Sequence, residues 1–473
     1  MEEQNNNLEN QELKEDVSET SKIGFFQQII RKSKNIPKKV LIIGAVAFAI
    51  IILTAVLFLV LGNKDNNNGN SGSNTPTETH TSYDAFTFYP LSEDTYVVGI
   101  APEGKYYSEI IIPSTYNGGK VVEIIEEGFK ECENLEIVTI PSTVEKIGDS
   151  AFEGCDNLKT IKFSNSVDNI GLDAFKYCSI TTVYFEGTLE NWLDTYFSTL
   201  NGYSTSNPLH CGADLYLNNE LLTEIGIINS EYSARRVDEN FTGCTSLKSV
   251  IIPNTETSIS AYAFQGCRNL ESVTIPNSIT EIGKEAFRSC SSLKSITFPD
   301  SLTEIDERAF EFCSSLETVV FSDSLSLTEI GNSAFSYCES IKSIQIPNSV
   351  RYLGEYAFSN CIRLESIVLP NGITEINNYT FYRCSSLKNV AMPLGISRIG
   401  VSAFSSCSSL ENITITFGVL RINSKAFENC TSLKNIHYQG DKFMWNMTIT
   451  KGDAWNKNTG NYTISCTDGN IEK

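Results

Sequence analysis

The chain has 473 residues and a formal net charge of −21, long enough for several globular domains or for one elongated repeat domain. Its acidity excludes nucleic acid as a partner, because phosphate binding calls for a basic face. Three histidines, His80, His210 and His437, leave little material for metal clusters or histidine-based catalysis, and no cofactor is expected.

Residues 1–39 are polar, with every acid before Lys22 and the bases Lys22, Arg31, Lys32, Lys34, Lys38 and Lys39 gathered at the far end. No apolar period runs through them, so they read as a disordered cytoplasmic tail. Val40 to Leu61 then carries 22 residues without a charge; as a helix this spans about 33 Å, against roughly 30 Å of bilayer hydrocarbon. It is too long for the apolar region of a cleaved signal peptide and lacks a small-residue cleavage site. The basic flank places the N-terminus inside, so 40–62 is expected to be a single-pass signal anchor in the plasma membrane with all that follows extracellular. Residues 63–82, rich in Asn, Gly, Ser and Thr, form a low-complexity linker with a coil dimension of about 25 Å.

From Tyr83 the chain becomes foldable. Residues 83–106 lack a repeat and are expected to form an N-terminal cap over the first core layer. Residues 107–439 repeat with a period of 23. In Cys267 to Cys313 the unit is written twice: Leu270, Val273, Ile275, Ile279, Ile282 and Phe287 reappear as Leu293, Ile296, Phe298, Leu302, Ile305 and Phe310. A period in the twenties with this apolar spacing predicts a leucine-rich solenoid of about 14 coils, with one parallel sheet on its concave side. Residues 321–330 carry two extra residues, and 187–219 interrupt the period with an aromatic-rich insertion.

Several columns follow from stacking the repeat. Phe264, Phe287, Phe310, Phe335 and Phe358, with their equivalents in other coils, form an apolar spine. Cys267, Cys290, Cys313, Cys338 and Cys361 sit three residues after them. Twelve of the 14 cysteines share this slot; Cys211 and Cys466 do not. Adjacent coils bring the slot within disulfide range, yet parallel stacking gives no facing Cβ vectors. Buried structural thiols are therefore expected ahead of bridges. The residue after the first strand leucine alternates in sign through Lys248, Glu271, Lys294, Glu317, Lys342, Glu365, Lys388, Glu411 and Lys434, which reads as a register device, since each charge gains opposite neighbours.

The outward strand positions are Ser249/Ile251, Ser272/Thr274, Ser295/Thr297, Thr318/Val320, Ser343/Gln345, Ser366/Val368, Asn389/Ala391, Asn412/Thr414 and Asn435/His437. They contain no paired carboxylates, nucleophile–base pair or phosphate cradle, so the face suits contact rather than chemistry, and an enzyme is not expected. Candidate ligand contacts are Ser272, Thr274, Ser295, Thr297 and Gln345 on this face, with Trp192, Tyr196, Phe197 and Tyr203 in the insertion as aromatic anchors. The alternative for those four rings is that they pack the insertion onto the solenoid.

The motifs L-x-x-I-x-I-P, S-[IL]-T-E-I-[GD] and A-F-x-x-C resemble the BspA-like class of leucine-rich repeat. That resemblance implies a surface protein, bacterial in origin, that engages extracellular protein or glycan partners; the alternative is a structural envelope component that associates with itself. It also implies the role of a Gly-x4-Trp element seen twice here, at Gly187/Trp192 and Gly440/Trp445: such elements close or interrupt a run of repeats, so 440–473 is expected to be the C-terminal cap and 187–219 an internal cap-like excursion. Related repeats occur on some protist surfaces, where sequons such as Asn240-Phe241-Thr242 and Asn446-Met447-Thr448 would accept glycans.

Overall fold

The computed structural model describes residues 79–80, 82–199, 205–226, 239–321 and 326–472. The expected tail (1–39) and anchor (40–62), most of the linker (63–82), and Tyr203 lie outside them. Among the described residues no helix is long and apolar enough to cross a membrane.

The repeats wind into a β-solenoid of about 14 turns. Each turn contributes a broad strand such as Ser272–Thr274 or Ser295–Phe298, pairing in parallel with the equivalent strand of its neighbour, as in Ser249↔Ser272 and Ser295↔Thr318. The expected single sheet is corrected here. Each T-E-I segment forms a second, two-residue strand, and these build a narrow parallel ladder, Ser258–Ile259, Glu281–Ile282, Glu304–Ile305, Glu329–Ile330 and Tyr352–Leu353 in order. The isoleucines point inward and are fully buried while the glutamates face out. Two residues are too few for alternation to register as a strand in sequence.

The A-F-x-x-C segment forms a third connection between turns. The amides of Glu285, Phe287 and Ser289 donate to the carbonyls of Glu307, Ala309 and Glu311 on the next turn, at 2.8–2.9 Å. This direction requires two left-handed residues per turn, for example Glu285 (φ 55°) and Ser289 (φ 62°). Each costs roughly 1–2 kcal/mol for a residue with a Cβ, and the hydrogen bonds along the axis hold it there.

Inside, the phenylalanine rings stack with centroids 5.2–6.0 Å apart, first Phe129–Phe152–Phe175 and then without a break from Phe241 to Phe427. All 14 cysteines are free. Within the column the thiols other than Cys132 and Cys244 donate to the phenylalanine carbonyl of the preceding turn, for instance Cys290 to Phe264 and Cys313 to Phe287, both at 3.2 Å. The thiol thereby supplies a partner to a buried carbonyl, and burial pushes Cys313 and Cys361 up to about 12.

At the N-terminal end, strand Phe86–Pro90 forms an antiparallel hairpin with Thr95–Ile100, which pairs in parallel with Gly119–Ile124. The broad ladder begins earlier than the 83 boundary, because Thr79–His80 pairs with Glu109–Ile110. The insertion proves to be a turn of the solenoid in its own right. Helix Leu189–Asp194, capped by Thr188, leads to Tyr196–Phe197, which extends the narrow ladder beside Asn169–Ile170. Asp214–Leu217 then extends the broad ladder, and Glu220–Leu221 returns antiparallel to it. The C-terminus repeats every step with helix Lys442–Met447, Thr450–Lys451, Thr463–Cys466 and the antiparallel return Gly469–Glu472.

Candidate binding face

The outward residues of the broad strands align because parallel pairing without register shift places equivalent positions side by side. Ser343, Ser366, Asn389, Asn412 and Asn435 stand in one column. Its asparagines join into an amide ladder: Asn412 Nδ2 donates to Asn389 Oδ1 at 2.9 Å, and Asn435 Nδ2 to Asn412 Oδ1 at 2.7 Å. The candidates Ser272, Thr274, Ser295, Thr297 and Gln345 are all exposed on this face. Val368 beside them is 59% exposed and Val320 43% exposed, so the surface mixes hydroxyls, amides and β-branched apolar groups.

The first block carries a different patch. Tyr184 and Tyr216, in register on neighbouring strands, bring their rings to 4.8 Å, and the Lys162 ammonium lies 5.6 Å from the Tyr184 ring centre. Sequence reading missed this pair because Tyr216 sits inside the interruption, where no period assigned it a face.

The insertion separates its aromatic candidates. Trp192 is fully buried and Phe197 is 7% exposed; neither is a surface anchor. Trp192 packs on Phe185 and Phe197 at 5.2 and 5.5 Å, and its Nε1 donates to the Asn240 carbonyl at 3.0 Å. Tyr196 is 60% exposed. The Asn240 sequon is corrected too: its side chain is buried and Nδ2 donates to the Trp192 carbonyl at 3.1 Å, which leaves no room for a glycan. Asn446 is exposed.

The alternating charge column forms three ion pairs, Lys294–Glu271 at 3.1 Å, Lys388–Glu365 at 2.7 Å and Lys434–Glu411 at 3.1 Å. In each, the lysine reaches back to the preceding turn. The narrow ladder does the opposite: Glu281, Glu304 and Glu329 stack in register. Burial first, then Glu329, Asp306 and Glu281, raise the Glu304 carboxyl above its ordinary value. No group of three or more metal-binding side chains occurs among the described residues.

The family model of the BspA type leucine rich repeat region matches residues 122–232, 218–328 and 328–444. Among solved structures, the chain is similar to a leucine rich cell surface protein of Faecalibacterium prausnitzii A2-165, at 27% identity over 80% of this chain and 99% of that one, with a TM-score of 0.50. It is also similar to a leucine-rich repeat protein of Bacteroides ovatus ATCC 8483, at 29% identity over 78% of this chain and 89% of that one, with the same TM-score. No curated protein sequence is matched.

Proposed function

The chain belongs to the family of BspA type leucine-rich repeat proteins, and from that premise we propose that it is a bacterial cell-surface binding protein whose broad-ladder face engages an extracellular protein or glycan. The observation that carries this reading is the face itself: register-matched columns of short hydroxyl and amide side chains, interspersed with exposed valines. Such a surface offers many weak contacts and no reacting group, which is the chemistry of adhesion rather than turnover. The similarity to a cell surface protein of F. prausnitzii supports the location, and the uncharged stretch 40–62 supplies the anchor, with the N-terminus in the cytoplasm.

The test is capture on arrays of matrix proteins and glycans by the full chain and by Ser295→Arg and Gln345→Arg, which place bulky charges on the face without touching the core. Binding lost in both variants at unchanged melting temperature supports the reading. Capture that survives both but falls in Tyr196→Ala would move the site to the insertion. Concentration-dependent self-association with no ligand captured would favour a structural envelope role instead.

A further inference from the structure

The connections that run from the broad strands to the narrow ones stack turn upon turn, so equivalent positions form columns on that flank. One column reads Asn277, Asp300, Asn348 and Asn371, then changes to Leu394 and Phe417. A second, three residues on, holds Thr280, Thr303, Thr374 and Ser397, then Leu420. In the next turn the connection is helix Lys442–Met447, where Phe443 and Met447 lie four apart on one helix face. Leu394, Phe417, Leu420, Phe443 and Met447 are 52–71% exposed. The turns that carry them pack directly: a Cβ built on Gly418 would lie 2.9 Å from the Leu394 carbonyl oxygen, and the Thr450 amide donates to the Leu420 carbonyl at 2.9 Å. Three consecutive turns thus present one apolar patch on a single flank.

The fold does not demand this patch, because the mid-chain cap is built to the same plan with other residues. Ladder register matches Asn165 to Phe417 and Asp168 to Leu420. The shared Gly-x4-Trp element matches Glu190 to Phe443 and Asp194 to Met447. All four equivalents are polar and exposed. The same helix and ladders form with them, so the exposed rings and thioether of the C-terminal cap answer to something outside the chain. Charge changes in the same place. Arg421, next to Leu420, and Lys442, next to Phe443, stand where the mid-chain cap has Asn169 and Leu189. Arg398 beside them is held by Glu375, while Arg421 is exposed. Residues 394–457 hold seven bases against four acids, in a chain of net charge −21.

We propose that this flank docks on a bilayer surface rich in anionic phospholipid headgroups, with the protruding side chains entering the acyl boundary and Arg421 and Lys442 meeting the phosphates. Such a surface suits both halves of the patch: the apolar groups leave water, and the cations gain an attraction that salt screens. A second copy of the chain fits less well, because a two-fold contact would set the patch's own cations against each other.

The test uses the full chain seated in neutral phosphatidylcholine nanodiscs, which keeps the uncharged stretch 40–62 from reaching added vesicles. Vesicles of phosphatidylcholine, with or without phosphatidylglycerol, are then supplied, and capture is read by flotation. Capture is expected with phosphatidylglycerol and not without it. Phe443→Glu combined with Met447→Asp copies the mid-chain cap and should weaken capture about tenfold or more at an unchanged melting temperature. Arg421→Gln should weaken it several-fold at low salt and little at high salt. Ser295→Arg and Gln345→Arg on the broad face should leave it unchanged, so this inference and the proposed binding face fail separately. If the double variant lowers the melting temperature, Leu394→Asn and Phe417→Asn, which restore the residue of earlier turns, take its place. Capture of neither vesicle, equal capture of both, or a well-folded variant captured like the native chain overturns the proposal. Self-association without vesicles that the double variant abolishes overturns it in favour of a second copy.

Discussion

Gly243 packs against Leu209 where the two blocks of the solenoid meet, and replacing it by alanine isolates what that contact costs. A Cβ built there would stand 2.1 Å from the Leu209 carbonyl oxygen, at a backbone φ of 79°. Gly154 holds the same slot in an earlier turn at φ 73°, where the nearest atom to such a Cβ is the Glu131 Cγ at 3.4 Å, an ordinary contact. The left-handed backbone costs either alanine about 1 kcal/mol. Ser289 and Tyr337 occupy the equivalent slot at φ 62° and 59°, so the conformation alone is tolerated. Only Gly243 adds the clash: the Leu209 carbonyl must retreat by about 1 Å, an overpacking worth a further 1–3 kcal/mol. That retreat also strains the bond from the Thr245 amide to the Ala213 carbonyl, now 3.0 Å. Urea denaturation of the full chain should therefore show Gly154→Ala losing about 1 kcal/mol and Gly243→Ala about 2–4. Equal losses would mean the junction gives way freely, and the reasoning about it would fail.

Three further outcomes are expected. Lys294→Glu removes the pair with Glu271 and aligns three acids, so it should cost about 0.5–1 kcal/mol at low salt and less at high salt; a salt-independent loss counts against the register role of the alternation. Glu304→Gln should raise the melting temperature at neutral pH. A carboxyl whose folded pKa is raised contributes stability below its unfolded value and loses it as pH rises through the folded one, so the variant's advantage should vanish on acidification below the ordinary glutamate range, and a pH-independent difference would refute it. Phe287→Ala opens the stacked column between Phe264 and Phe310 and should cost about 3–5 kcal/mol by denaturant titration; a loss below about 1 kcal/mol would show that the turns collapse around the gap.

The broad strand was legible because its inward residues, Leu270, Val273 and Ile275, alternate over enough positions to declare a face. The narrow strand was not, since Glu281–Ile282 is a pair whose partners lie a whole turn away. The left-handed residues around the A-F-x-x-C segment were equally silent: glycine marks one slot at Gly154, Gly243 and Gly266, but Ser289 fills that slot and Glu285 the other left-handed one for hydrogen bonds visible only between turns. The Gly-x4-Trp echo did reveal that the insertion and the C-terminus share a plan. It could not reveal that Trp192 is buried, because an aromatic in an interrupted period has no assigned side.

The repeated cap changes what the insertion means for the molecule. A run of parallel strands ends in an open edge that templates the next strand, and an antiparallel return closes that edge to further parallel growth. Glu220–Leu221 makes such a return in mid-chain, as Gly469–Glu472 does at the end. The phenylalanine stack is interrupted at the same place, ending at Phe175 and resuming at Phe241. The broad face is thereby split into two capped blocks with unlike surfaces, one carrying Lys162, Tyr184 and Tyr216 and the other hydroxyls, valines and the asparagine ladder. A single uninterrupted solenoid would have graded one surface into the other. Two closed blocks keep them chemically separate.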